Sequence, residues 1–177
     1  MIDPVTTRRW SYRALFVALA AALLFVRLLP LSTLPAHIPG PDLMLCITCA
    51  WVLRRPDFVP ALAIVAVFLI EDMLAMRPPG LWALVVLLGS EFLRDRAGAM
   101  RGLPFLAEWA TVTAVMAIML LANRLVLALV VVPQTGLGLT LLQFVITVLA
   151  YPLVVAVSHL ALGLRAPSEI DGMGSRA

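Results

Sequence analysis

With 177 residues, 63% of them hydrophobic and only 13% charged, the chain carries more apolar surface than a water-soluble protein of its size can bury, and a bilayer is the solvent that suits it. That leaves room for one small polytopic membrane domain and for no large soluble one. The net charge of +3 rests on thirteen arginines and no lysine, and its placement beside apolar stretches suits anionic lipid headgroups and not nucleic acid.

The first apolar run, about Ala14 to Leu31, follows Arg8-Arg9-Trp10-Ser11-Tyr12-Arg13. It is longer than a typical signal-peptide core, and Ser32-Thr33-Leu34-Pro35 lacks a small-x-small cleavage site, so it reads as a retained signal anchor. Leu34 to Pro41, with Pro35, Pro39, Gly40 and Pro41, is a loop that cannot be helical throughout. Segment 2, about Asp42 to Leu53, has only twelve residues. At 1.5 Å per residue it reaches about 18 Å, short of a hydrocarbon core of roughly 30 Å. Arg54-Arg55-Pro56-Asp57 behind it must nonetheless reach water, because two unpaired guanidinium groups in hydrocarbon would cost several kcal/mol. Segment 2 is therefore expected to cross, shielded by neighbours or by local thinning of the bilayer.

Segment 3 spans about Val59 to Met76, with Pro60 in its first turn. The Arg77-Pro78-Pro79-Gly80 turn sends segment 4, about Leu81 to Leu93, back. A basic loop from Arg94 to Gly102 leads to segment 5, about Pro104 to Val132. After a short turn at Pro133 to Gly138 comes segment 6, about Leu139 to Leu164, with a kink expected at Pro152. Residues 1–165 thus form a single six-helix domain, and the polar tail 166–177 is expected to be disordered.

Arg8, Arg9, Arg13, Arg54, Arg55, Arg94, Arg96, Arg101, Arg165 and Arg176 fall at the N-terminus, in every second loop or at the C-terminus, while the intervening loops carry only Arg77. Cationic loops are retained in the cytoplasm during insertion. The alternation predicts an all-α membrane protein with six transmembrane helices and both termini inside.

No catalytic, cofactor-binding or metal-binding set stands out. Two histidines, His37 and His159, cannot build a metalloprotease helix, and there is no Ser-centred elbow, phosphate cradle or paired-acidic motif. Cys46-Ile47-Thr48-Cys49 has redox spacing but sits inside an apolar helix without the fold that lowers a thiol pKa, so both cysteines are expected to be packing residues.

The sharpest signal is charge inside apolar segments. Under the six-crossing topology, Arg27, Glu71, Asp72 and Arg124 share the outer half of the membrane, and two cations and two anions at one depth invite pairing, with Asp72 and Arg124 expected to face each other. The alternatives are that Glu71 and Asp72 are hydrated at the surface and that Arg27 snorkels. Glu91, Glu108 and His159 form a second set toward the cytoplasm, where interfacial solvation is the favoured account.

Three stretches carry a family resemblance: Pro41-Asp42-Leu43-Met44-Leu45, then Trp51-Val52-Leu53-Arg54-Arg55-Pro56, then Asp72-Met73-Leu74 followed by Pro79-Gly80-Leu81-Trp82. In that order they resemble the bacterial rod shape-determining protein MreD family over about residues 41 to 96. There a short helix opens with Pro-Asp-Leu and ends at a basic-Pro loop, and an Asp-Leu-Leu-like helix end meets a Pro-Leu-Gly turn. Two departures are Phe68-Leu69-Ile70, where a glycine is frequent, and Pro78-Pro79-Gly80 at the turn. The resemblance implies a fold similar to the S components of vitamin transporters. It also implies a non-enzymatic role in the bacterial inner membrane, as a scaffold of the elongasome that organises peptidoglycan synthesis and cell shape with MreC, RodA, a class B penicillin-binding protein and the MreB filament. A substrate-binding S component is the alternative. Such a component needs a polar, aromatic-lined outer pocket, and this outer face offers Trp82, Gln134 and the charge cluster but few other ligand-binding groups.

Overall fold

The computed structural model describes residues 4–29, 39–100 and 102–162. The loop residues 34–38 and the tail 166–177 lie outside them. Among the described residues six helices follow in chain order: α1 Pro4–Leu28, α2 Leu43–Arg54, α3 Ala61–Leu74, α4 Leu81–Arg96, α5 Phe105–Leu129 and α6 Leu137–Leu162, with a 3-10 turn at Pro56–Phe58. Among the described residues there is no strand.

The helices alternate in direction. Arg13 near the start of α1 donates its Nε to the Asp57 carbonyl behind α2 (3.2 Å), and Arg27 near the end of α1 meets Glu71 near the end of α3. Arg94 at the end of α4 donates to the Val59 carbonyl ahead of α3 (2.6 Å), while Tyr151 of α6 reaches Glu108 at the start of α5 (2.9 Å). Thus α1, α3 and α5 run one way and α2, α4 and α6 return. Arg9, Arg13, Arg54, Arg55, Arg94 and Arg96 gather at one end of the bundle, which we call the basic end.

Helix α2 is the centre. It packs against α6 and α4, and nine of its twelve residues are buried, Trp51, Cys49, Ala50 and Val52 among them. A helix walled by protein on its sides does not have to match the thickness of lipid, which is the physical reason for its shortness. By contrast α1 from Arg9 to Leu28, α5 and α6 are each long and apolar enough to cross a membrane and turn most of their leucines and valines outward. Long helices with apolar outward faces are the pattern of a membrane protein. Helices α4 and α5 touch closely at Gly89, where an added Cβ would lie 1.8 Å from Met119 Cε.

Several helix ends differ from expectation. Hydropathy marks the apolar part of a helix and not its start, so α1 begins at Pro4 rather than Ala14. Its N-terminal half docks on the 3-10 turn, with Tyr12 stacked on Phe58 at 4.4 Å between ring centroids. Pro60 is extended and caps α3 from outside rather than sitting in its first turn. Both α3 and α5 end in a paired-bond motif that normally uses glycine: Arg77 N–H reaches the Asp72 carbonyl and Met76 N–H that of Met73, and Val132 reaches Leu127 as Val131 reaches Ala128. The left-handed positions are Met76 (φ 52°) and Val131 (φ 56°), an unfavoured choice that costs on the order of 1 kcal/mol each. Helix α6 continues unbroken through Pro152.

Candidate functional site

At the end opposite the basic one, Asp42 caps α2. Its Oδ1 accepts from Leu45 N–H (3.1 Å) and its own N–H donates to Thr147 Oγ1 of α6 (3.0 Å). Pro41 ahead of it stops any helical extension backwards. Arg27 and Glu71 form an ion pair, half-exposed on the arginine side and buried on the glutamate side.

Asp72 and Arg124 do not meet. Asp72, fully buried, uses Oδ2 to accept from Gly80 N–H (3.1 Å) and Ala83 N–H (3.2 Å), while its backbone carbonyl holds Arg77 N–H (3.0 Å). Gly80 precedes α4 at φ 91°, a value that requires glycine and leaves no side chain to cap the helix. Asp72 supplies the cap from α3, where free N–H groups and the positive end of the helix dipole attract an anion. Pro79-Gly80 and Asp72 are therefore one folded unit. Arg124 instead closes the α5–α6 connection, donating to Thr140 Oγ1 (2.6 Å) and the Thr135 carbonyl (3.2 Å), and its own carbonyl accepts from Gln134 Nε2 (3.1 Å). Equal depth in the membrane says nothing about position around the bundle, and the helix faces decide the partners.

At the basic end Arg54 corrects a second expectation. It does not depend on water: Nε and one terminal nitrogen bond both oxygens of Glu108 (3.1 and 3.0 Å), with side-chain exposures of 15% and 16%. Tyr151 donates its hydroxyl to the same carboxylate at 2.9 Å. Arg55 and Pro56 turn the chain, Arg55 N–H closing α2 on the Trp51 carbonyl (2.7 Å) and Pro56 opening the 3-10 turn. Glu91, Glu108 and His159 are not one set. Glu91 pairs with Arg94 one turn on (3.4 Å), and His159 borders a shallow groove beside Arg54 and Pro152.

Cys46 and Cys49 are buried, unbridged packing residues, and Cys46 Sγ donates to the Thr147 carbonyl (3.4 Å). Thr147, Tyr151 and Ser158, the last accepting from Trp51 Nε1 at 3.3 Å, are the partners that the charge pattern does not reveal. Their spacing of four and seven residues puts them on one face of α6, and that was the available signal.

Because α2 begins level with Thr147, the α5–α6 hairpin extends past it and encloses a cavity of about 310 Å³. Asp42, Arg77, Trp82, Asn123, Arg124, Gln134, Thr140, Gln143 and Thr147 contribute its polar lining. Sequence reading found Trp82 and Gln134 there; folding adds the amides and hydroxyls of α5 and α6. The chain matches no family model, no curated protein and no solved structure.

Proposed function

We propose that this chain is an integral subunit of the bacterial cell-wall elongation machinery, similar to MreD. It crosses the inner membrane six times with both termini inside and organises MreC, RodA, a class B penicillin-binding protein and MreB through helix contacts rather than by catalysis. The observation that carries the reading is the Asp72–Gly80–Ala83 unit: an acidic residue ending one helix and a Pro-Gly turn opening the next are the pair of elements that the resemblance rests on, and here they depend on each other physically.

The topology draws support from the arginines. With alternating helices, the side chains from Arg9 to Arg96 named above collect at one end, which the positive-inside tendency assigns to the cytoplasm. Reporter fusions at Pro56, Gly98 and the C-terminus are expected to report cytoplasm, and those at Ala36 and Gly136 the outside. A periplasmic signal at Gly98 would overturn six crossings.

Depletion in a rod-shaped host is expected to give rounded cells with disturbed lateral wall growth, because a lost scaffold disperses the enzymes it positions. Copurification from native membranes should recover wall-synthesis subunits. The outer cavity favours one other reading, a vitamin-binding S component, and normal cell shape with a vitamin requirement would choose it.

A further inference from the structure

Three features point to a ligand for the cavity between α2, α4 and the α5–α6 hairpin. Trp82 lines it, is 7% exposed, and buries an indole Nε1 that has no hydrogen-bond partner. A buried donor left unpaired is unfavourable, and an acceptor from outside the chain would satisfy it. Arg77 and Arg124 also line the cavity, against a single acid, Asp42. Asp42 is committed to the α2 cap, and Glu71, the neighbouring acid, is taken by Arg27. Arg77 donates no side-chain hydrogen bond among the described residues, and Arg124 uses only two of its nitrogens, for two of five N–H donors. The rest of the wall mixes the amides and hydroxyls of α5 and α6 with an apolar part that includes Leu120 and Phe144.

We propose that this cavity binds an acidic amphiphile, a phosphate or carboxylate group held by Arg77 and Arg124 with an adjoining apolar portion against Leu120 and Phe144 and an acceptor atom on the Trp82 indole. The volume lies at the lower end of small-molecule sites, about 300–1,000 Å³. It admits a headgroup with its first few methylenes and excludes a whole two-chain lipid, so a phospholipid would enter headgroup first with its tails outside the cavity. A free fatty-acid-like or phosphorylated small molecule would enter entire. Both sources share the chemistry: planar guanidinium groups fork onto oxyanions, and an indole N–H adds direction. The inference does not rest on the wall-synthesis reading, since neither partner proteins nor topology enter it.

The test uses the purified full chain in neutral detergent. Phosphatidylglycerol, phosphatidylcholine, octanoate and inorganic phosphate are titrated separately, with binding read by native mass spectrometry and by tryptophan emission. Phosphatidylglycerol is expected to bind at one site and to red-shift the emission, and phosphatidylcholine to do neither. Arg77→Gln, which breaks no side-chain hydrogen bond among the described residues, should weaken binding about tenfold, the equivalent of one charge-assisted contact. Trp82→Phe keeps the ring's bulk, weakens binding less, and should abolish the red shift. Binding of octanoate or phosphate with the same Arg77 dependence, in place of phosphatidylglycerol, supports the site and names a water-soluble source. Equal binding of phosphatidylglycerol and phosphatidylcholine, binding indifferent to both substitutions in folded protein, or no binding of any probe would overturn the proposal.

Discussion

Asp72→Ala is expected to lower the stability of the folded chain by about 2–4 kcal/mol, because it strands two backbone donors, the part-buried Gly80 N–H and the buried Ala83 N–H. The loss falls on α4 first. Its N-terminus has glycine as the capping residue and so lacks a side chain of its own to replace the missing acceptor. Asp72→Asn should cost less than half as much, since an amide oxygen still accepts both bonds and only the interaction of charge with the helix dipole is lost, about 0.3–1 kcal/mol. Unfolding in a detergent series, followed by far-UV circular dichroism, measures both. Equal losses for Asn and Ala would show that charge matters and the cap does not. Strong coupling between Asp72→Asn and Arg124→Gln would restore the ion pair that the geometry rejects.

The same residue shows what can be read from a sequence and what cannot. An acid inside an apolar helix announces a partner, and its depth follows from counting residues. Which partner it meets depends on rotation about the helix axis, and periodicity is silent in α3 and α5 because nearly every position there is apolar. Asp72 therefore capped its neighbour in sequence, eight to eleven residues on, while Arg27 and Glu71 found each other across 44 residues. Local grammar was legible where a specific residue type enforces it: Asp42 ahead of Leu43 is a cap, and Gly80 is a turn. It was not legible at Met76 and Val131, which take left-handed positions with no glycine to mark them. The cavity was hidden for another reason. It exists because α2 is shorter than the hairpin beside it, a relation between elements that no single segment contains.

Arg54 and Glu108 carry the remaining large effect. Arg54→Leu is expected to destabilise by about 3–5 kcal/mol, because it leaves a mostly buried carboxylate with Tyr151 as the one donor among the described residues. Tyr151→Phe removes one bond to a charged acceptor and should cost about 1.5–3 kcal/mol. The double variant Arg54→Leu/Glu108→Leu should be more stable than Arg54→Leu alone: with both charges gone no ion is stranded, and two leucines suit the apolar faces of α2 and α5. A double-mutant cycle by detergent-induced unfolding checks this, with a coupling of at least 1 kcal/mol expected for groups in contact. Additive losses would mean that each charge is solvated separately, as expected for a basic loop dissolved in cytoplasmic water. Coupled losses mean that Arg54 acts from inside the bundle, where it ties the C-terminal end of α2 to the first turn of α5 and so fixes the central helix against the hairpin that encloses the cavity.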